Sequence, residues 1–294
     1  MKCVKSPAFE YTRPASVEEA CALLARHGAD AKVIAGGQSL VPMMAMRLVR
    51  PSVLVDINEI DALKYLAIEP QEARIGACTR QVTVERDDVL SERIPLLRMA
   101  LKCVGHVQTR NRGTVGGSLA HADPSAELPL VALVLGARLR LRSASGRRDV
   151  QAREFLTGAM STAVRPDECL EELGWPAWRE RRTGAAFMEV SIRHGDFALV
   201  AAATQVALDA QARCTRASFG LAGIGATAVA FPELAGRLVG TKIEDALVEE
   251  VANAAAKHIS PGSDMHASSE YRRHLARVLV ARTLRAAREK AASA

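Results

Sequence analysis

The chain has 294 residues, 49% of them hydrophobic, and a formal net charge of +6, which suits two or three compact units with real cores. No run reaches the roughly 18 consecutive apolar residues of a membrane span. The opening MKCVKSPAFEYTRPAS lacks the apolar core of a secretory signal, so a cytoplasmic protein is expected. Aromatics are only 4% and no nucleic-acid-binding module is recognisable, so no nucleic-acid partner is expected; the arginine-rich runs read as solvated faces of strands and helices.

In chain order, FEYTR is a short strand ended by Pro14. Ser16 with Glu19 forms a capping-box pattern, and Val17, Ala20, Leu24 and His27 mark a helix that Gly28 terminates. AKVIA is an apolar strand running into Gly36-Gly37; a helical turn around SLVPMMAMRL and the strand SVLVDI follow, giving a βαβ-type unit over 1–57. A second unit, 58–176, begins near Asn58. ARIGAC is strand-like, and TVERDDVLSER and IPLLRMALKCV supply two helices. AELPLVALVLGA is a buried helix with Asp123 as N-cap and Pro124 at its first position. ARLRLRSASGRRDV alternates like a half-exposed hairpin.

RPDECLEELGWPAWRERRTG (165–184) is a candidate boundary. Beyond it, AAFMEVSIR, ALVAAATQVALD and RCTRASFGLAGI read as three antiparallel strands, the last two joined by the turn DAQA. ELAGRLVG, KIEDALVEEVANAAAKH and a long helix from Ser268 close an α+β unit over 177–294. The six cysteines (Cys3, Cys21, Cys78, Cys103, Cys169, Cys214) are scattered without zinc or iron–sulfur spacing, so buried reduced thiols and no metal are expected.

Two glycine pairs carry the chemistry. A diphosphate is held well by backbone N–H groups, and glycine lets the backbone come close and adopt positive φ. Gly36-Gly37-Gln38-Ser39, between a strand and a helix, fits that task, although the same arrangement is also an ordinary tight turn. The spacing is neither G-x-G-x-x-G nor a phosphate loop. Thr114-Val115-Gly116-Gly117-Ser118 repeats the pattern of hydroxyl, glycine pair and second hydroxyl. Two such loops in different units suggest a ligand clamped between them.

AGGQSLVPMMAMRL…PSVLVDI and QTRNRGTVGGSLAHADPSAELP together resemble the FAD-binding medium subunit of molybdenum hydroxylases. That group contains carbon monoxide dehydrogenase, quinoline oxidoreductase and the flavin segment of xanthine dehydrogenase. HGDFALVAAA and SSEYRRHLARVLVARTL resemble its C-terminal domain, so the resemblance covers nearly the whole chain. It implies an α+β chain: a two-subdomain FAD-binding fold of the vanillyl-alcohol oxidase type, then a C-terminal domain with a three-stranded antiparallel sheet and a helical bundle.

For the site, the resemblance implies that Ala35, Gly36, Gly37, Gln38, Ser39 and Leu40 wrap the FAD diphosphate. Thr114, Val115, Gly116, Gly117 and Ser118 would contact it from the other unit, with Asn111 and Thr114 shaping that loop. Glu127 stands where the family hydrogen-bonds the cofactor with an acidic residue; otherwise it is a first-turn charge favourable to the helix dipole. Phe197 stands where parts of the family place a tyrosine over the flavin, keeping the stacking surface without the hydroxyl; otherwise it is a core residue. Arg193 offers charge to the pyrimidine end of the flavin or is an exposed strand arginine. His121 reads as a loop histidine rather than a base. LEELGWPAW departs from the family's Ile-Pro-x-Pro pattern, which puts the link to the third unit in question.

The function implied is electron transfer, with no catalytic acid–base residue on this chain. Substrate would be oxidised on a large molybdopterin-binding subunit, and electrons would pass through a small subunit with two [2Fe–2S] clusters to this FAD, in a dimer of heterotrimers. The alternatives are a stand-alone FAD oxidoreductase on the same fold, or a flavin-free assembly subunit.

Overall fold

The computed structural model describes residues 5–294; Cys3 lies outside them. The chain begins with β1 (Glu10–Thr12), α1 (Val17–His27), β2 (Ala31–Ile34), α2 (Leu40–Ala45) and β3 (Val53–Asp56). The strands form a parallel sheet in the order β1-β3-β2; α1 carries the chain from β1 to β2 on the far side of β3, and the segment containing α2 supplies the crossover between the parallel neighbours β2 and β3. At its start the Ser16 hydroxyl accepts the Glu19 N–H (3.1 Å) while the Glu19 carboxylate reaches back to the Ala15 N–H (2.8 Å). The reciprocal cap thus closes on the residue before Ser16. Gly28 ends the helix at φ +56°, a conformation glycine takes without a Cβ penalty. The buried stripe Val17, Ala20, Cys21 and Leu24 packs on the sheet, and the Cys21 thiol donates to the Arg142 carbonyl at 3.2 Å, which ties this unit to the next.

The second unit holds β4 (Leu66–Ile68), β5 (Glu72–Gly76), α3 (Gln81–Arg86), α4 (Asp88–Arg93), α5 (Pro95–Leu101), α6 (Val107–Arg112), α7 (Val115–His121) and α8 (Glu127–Leu135). It continues with β6 (Arg138–Ser143), β7 (Gly146–Gln151), α9 (Ala152–Phe155), β8 (Leu156–Gly158), β9 (Ser161–Thr162) and β10 (Cys169–Pro176). The sheet is antiparallel in the order β4-β5-β10-β6-β7. The Pro- and Arg-rich stretch read as a boundary contains β10, the central strand of this sheet, and runs on past the strand's end at Pro176. Its inward residues Leu173 and Trp175 are fully buried, each such side chain stabilising by roughly 1.5–3 kcal/mol. Pro166 precedes the strand and Pro176 is its last residue, so neither interrupts it. TVERDDVLSER is also two helices, because Asp87 is extended and caps the second by accepting the Leu90 N–H (2.8 Å).

Asp123 is not the N-cap of α8. Its carboxylate accepts the Ser125 N–H at 2.8 Å, an Asx turn that keeps Pro124 outside the helix, and the cap position falls to Ala126. The local turn competes with the cap and wins.

β11 (Arg182–Val190), β12 (Val200–Leu208), β13 (Cys214–Ala222) and β14 (Val229–Ala230), with α10 (Pro232–Gly236), α11 (Asp245–Lys257) and α12 (Ser269–Ser293), complete the chain. The sheet has four antiparallel strands, β11-β12-β13-β14, not three. The fourth has two residues, too few for the alternation that reveals a strand in sequence. The helices form no separate bundle: α12 lies across β11 and β12 with α11 alongside. Gly184 of β11 is in direct contact with the Ala287 backbone of α12, so a Cβ there has no room. Every residue of β12 is buried because α12 covers one face and α8 the other, which explains its unbroken apolar run.

Candidate functional site

The two glycine loops meet. A Cβ on Gly36 would lie 2.5 Å from the Arg112 carbonyl oxygen and 2.8 Å from Gly113 Cα, so the first loop packs backbone to backbone on the segment entering the second. Gly37 sits at φ +71°, where a β-branched side chain is strained. Gly36 is buried; Ala35, Gly37, Ser39 and Leu40 are half-buried, and Gln38 is exposed.

The hydrogen bonding of the loops differs. Among the described residues, the backbone N–H groups of Gly36, Gly37, Gln38, Ser39 and Leu40 have no acceptor. The Gln38 side chain donates to the Gly36 carbonyl at 3.1 Å, and the Ser39 hydroxyl makes no cap bond. A consecutive row of uncommitted N–H groups, with a free hydroxyl, is a nest for an oxyanion. The second loop has spent its donors. Val115 N–H goes to the Thr79 carbonyl, Gly116 N–H to Ala77, and Ser118 N–H to Thr114. The Thr114 hydroxyl accepts from Gly117 N–H at 3.0 Å. Thr114 therefore shapes this loop as expected of it, while Val115, Gly116 and Gly117 serve close packing; a Cβ on Gly116 would lie 2.6 Å from Ala77. Asn111 is exposed on α6 and its side chain holds nothing in the loop.

Two residues that sequence reading passed over fix the loops to each other. Asn58, just after β3, donates through Nδ2 to the Ala35 carbonyl (2.7 Å) and to Asp56 Oδ1 (2.6 Å). Arg80 donates to Asn58 Oδ1 (2.7 Å) and to the Arg112 carbonyl. The available signal was weak: an arginine at the start of a helix opposes its dipole.

Glu127 begins α8 and is 5% exposed. Burial pushes its carboxyl up to about 8, opposed by its own backbone N–H and reinforced by Glu189 and Asp123. Burial likewise raises Glu189 to about 7. At neutral pH Glu127 is thus predominantly a protonated acid able to donate, rather than the dipole-complementing charge that was the other reading. Because the folded protein holds this proton more tightly than the unfolded chain, stability falls as pH rises from about 4.5 through about 8. Glu127→Gln is expected to flatten that slope and to gain on the parent by roughly 5 kcal/mol above the upper limit. Urea unfolding of both proteins across that pH range checks it; parallel pH profiles would contradict the assignment.

Arg193 and Phe197 lie on the loop between β11 and β12, both exposed, Phe197 by 58%. That removes the core reading for Phe197, and Arg193 is a loop rather than a strand residue. The loop is seated on the second unit: a Cβ on Gly195 would lie 2.7 Å from the His106 ring, and His106 stacks on His194 with centroids 6.0 Å apart. His106 immediately precedes α6, which leads into Gly113. The loop carrying Arg193 and Phe197 is therefore seated beside the start of α6. His121 ends α7, and burial lowers its pKa.

Residues 7–178 match the family described as "FAD binding domain in molybdopterin dehydrogenase", and residues 185–287 match "CO dehydrogenase flavoprotein C-terminal domain". The chain belongs to the FAD-binding medium subunits of the molybdenum hydroxylases. It is 41% identical to the 6-hydroxypseudooxynicotine dehydrogenase complex subunit alpha of Paenarthrobacter nicotinovorans, over 96% of this chain and 95% of that one. It is 34% identical to the carbon monoxide dehydrogenase medium chain of Afipia carboxidovorans, over 96% and 98%. A solved chain of the carbon monoxide dehydrogenase from Hydrogenophaga pseudoflava superposes with TM-score 0.94 at 33% identity, covering 97% of this chain and 99% of that one. This medium subunit is thus an FAD-binding oxidoreductase chain, and the features above fit that cofactor: the nest of free N–H groups at Gly36–Leu40 suits a diphosphate, and a Cβ at Gly36 would disrupt its support. No helix among the described residues is long and apolar enough to cross a membrane.

Proposed function

We propose that this medium subunit is the electron outlet of a heterotrimeric molybdenum hydroxylase, assembled as a dimer of heterotrimers. A large molybdopterin-binding subunit would oxidise the substrate, and a small subunit with two [2Fe–2S] clusters would relay electrons here. FAD supplies the chemistry of accepting them singly and passing them to an external acceptor. The chain's own share is to hold and orient the cofactor. The free N–H row of Gly36–Leu40 takes the diphosphate. Thr114, Gly116, Gly117 and Ser118 form the wall behind it, and Glu127 donates from its protonated carboxyl. Arg193 and Phe197 border the flavin edge from the third unit. The observation that carries the reading is the contact of Gly36 with Arg112 and Gly113, which joins the two loops into one anion-binding seat. We further propose subdomains at 1–57 and 58–176 and a C-terminal domain at 177–294, supported by β3 ending at Asp56, β10 at Pro176 and β11 starting at Arg182.

Purification of the native complex through a tag on this chain tests the assembly. Co-purifying subunits with iron, molybdenum and FAD, and with the iron of two [2Fe–2S] clusters per FAD, are expected. A tagged chain that carries FAD and oxidises an organic substrate by itself would favour the stand-alone oxidoreductase instead.

A further inference from the structure

Arg80 occupies the N-cap position of α3, where short oxygen-bearing side chains are preferred, and it makes no cap bond. It also sets a cation at the positive end of a helix. Among the described residues no carboxylate lies within ion-pairing range of its guanidinium, in contrast to Arg74, Arg110, Arg138, Arg140 and Arg148, which are all paired. The half-buried group is held by two uncharged acceptors, Asn58 Oδ1 at 2.7 Å and the Arg112 carbonyl. The groups that act on it electrostatically are Cys78, Arg112 and Asp56, and burial lowers its pKa. Asp56 is already engaged by the Tyr11 hydroxyl and by Asn58.

The acceptors matter because of where they lead. Asn58 continues to the Ala35 carbonyl at 2.7 Å, the residue before the first glycine pair. The Arg112 carbonyl is the atom on which Gly36 packs, and Arg80 bridges Thr114 through its backbone. An uncompensated cation is therefore wedged at the junction of the two glycine loops, beside the free N–H groups of the first. Resting on the FAD reading above, we propose that Arg80 is a cofactor-anchoring residue: it locks the two glycine loops in register and supplies positive charge that the FAD diphosphate neutralises.

The test is FAD binding by the full-length, deflavinated chain, followed by flavin fluorescence quenching at several ionic strengths, with circular dichroism as the folding check. Arg80→Gln removes the charge and should raise the Kd for FAD at least tenfold and flatten its salt dependence, since screening acts on the lost attraction. Arg80→Lys keeps the charge but loses the two-armed guanidinium, so its Kd should fall between those of the parent and Arg80→Gln, with the parent's salt slope. If Arg80→Gln does not fold, Asn58→Leu carries the test of the lock, with an expected rise of about fivefold and an unaltered salt slope. Parent-like affinity in Arg80→Gln overturns the proposal, as does unchanged affinity in Asn58→Leu; Arg80→Lys as weak as Arg80→Gln overturns the role of charge. A parent chain that binds no FAD at all would instead sink the FAD reading on which this rests.

Discussion

Gly36→Ala is expected to strip FAD from the protein, raising its Kd by about a hundredfold or more, equivalent to roughly 2.7 kcal/mol. The added Cβ would meet Arg112 O and Gly113 Cα. Both are backbone atoms, so neither can swing aside as a flexible side chain would. The first loop must lift off the second, and the N–H groups from Gly36 to Leu40 move with it. A single methyl therefore acts on the whole nest rather than on one hydrogen bond. Gly225→Ala is the matched control, because nothing lies within 4 Å of its added Cβ and its φ is unremarkable. The flavin-to-protein ratio of the two purified variants checks this. Equimolar FAD in Gly36→Ala would contradict the packed-loop account, whatever the control shows.

The second large effect is expected at Arg272, which is 8% exposed. Its guanidinium donates to the Leu199 carbonyl (2.6 Å), the Gly223 carbonyl (3.2 Å) and Asp264 Oδ2 (2.6 Å). Leu199 closes the loop carrying Arg193 and Phe197. The Gly223 N–H in turn donates to the Pro124 carbonyl at 2.9 Å, just before α8 and Glu127. One buried cation thus joins the third unit's loop to the segment behind the second glycine pair. Arg272→Met leaves two carbonyls and a carboxylate short of a donor, costing about 3 kcal/mol and lowering Tm by roughly 8 °C. Hydrogen exchange should quicken at Ala198 and Leu199. Arg273→Met, at a neighbour whose side chain holds no partner among the described residues, should change stability by less than about 0.5 kcal/mol. Equal melting of Arg272→Met and the parent would remove Arg272 from this role.

What could be read in the sequence was local. Ser16, Glu19 and Gly28 announce α1 because caps act within a few residues. The glycine pairs announce close backbone approach because only glycine tolerates it. What could not be read depends on partners distant in the chain. The second loop resembles the first in residues yet differs in hydrogen bonding, because Ala77 and Thr79 claim its N–H groups from another segment. Arg80 and Asn58 act across the two units, and nothing in ACTRQV marks a latch. Arg272 stands in an arginine-rich helix that reads as a solvated face. Within the stretch read as a boundary, β10 was hidden for a similar reason: Pro166 precedes and Pro176 ends a strand whose pairing with β5 and β6 decides its fate. Asp123 shows the reverse, a local turn taking a residue that the cap rule had assigned elsewhere.

The most direct test of the account is the absorption spectrum of the purified chain, with the chromophore released by heat and identified. The account predicts a flavin spectrum and the release of FAD equimolar with protein, or its uptake when FAD is added. A folded, colourless chain that refuses added FAD would contradict it.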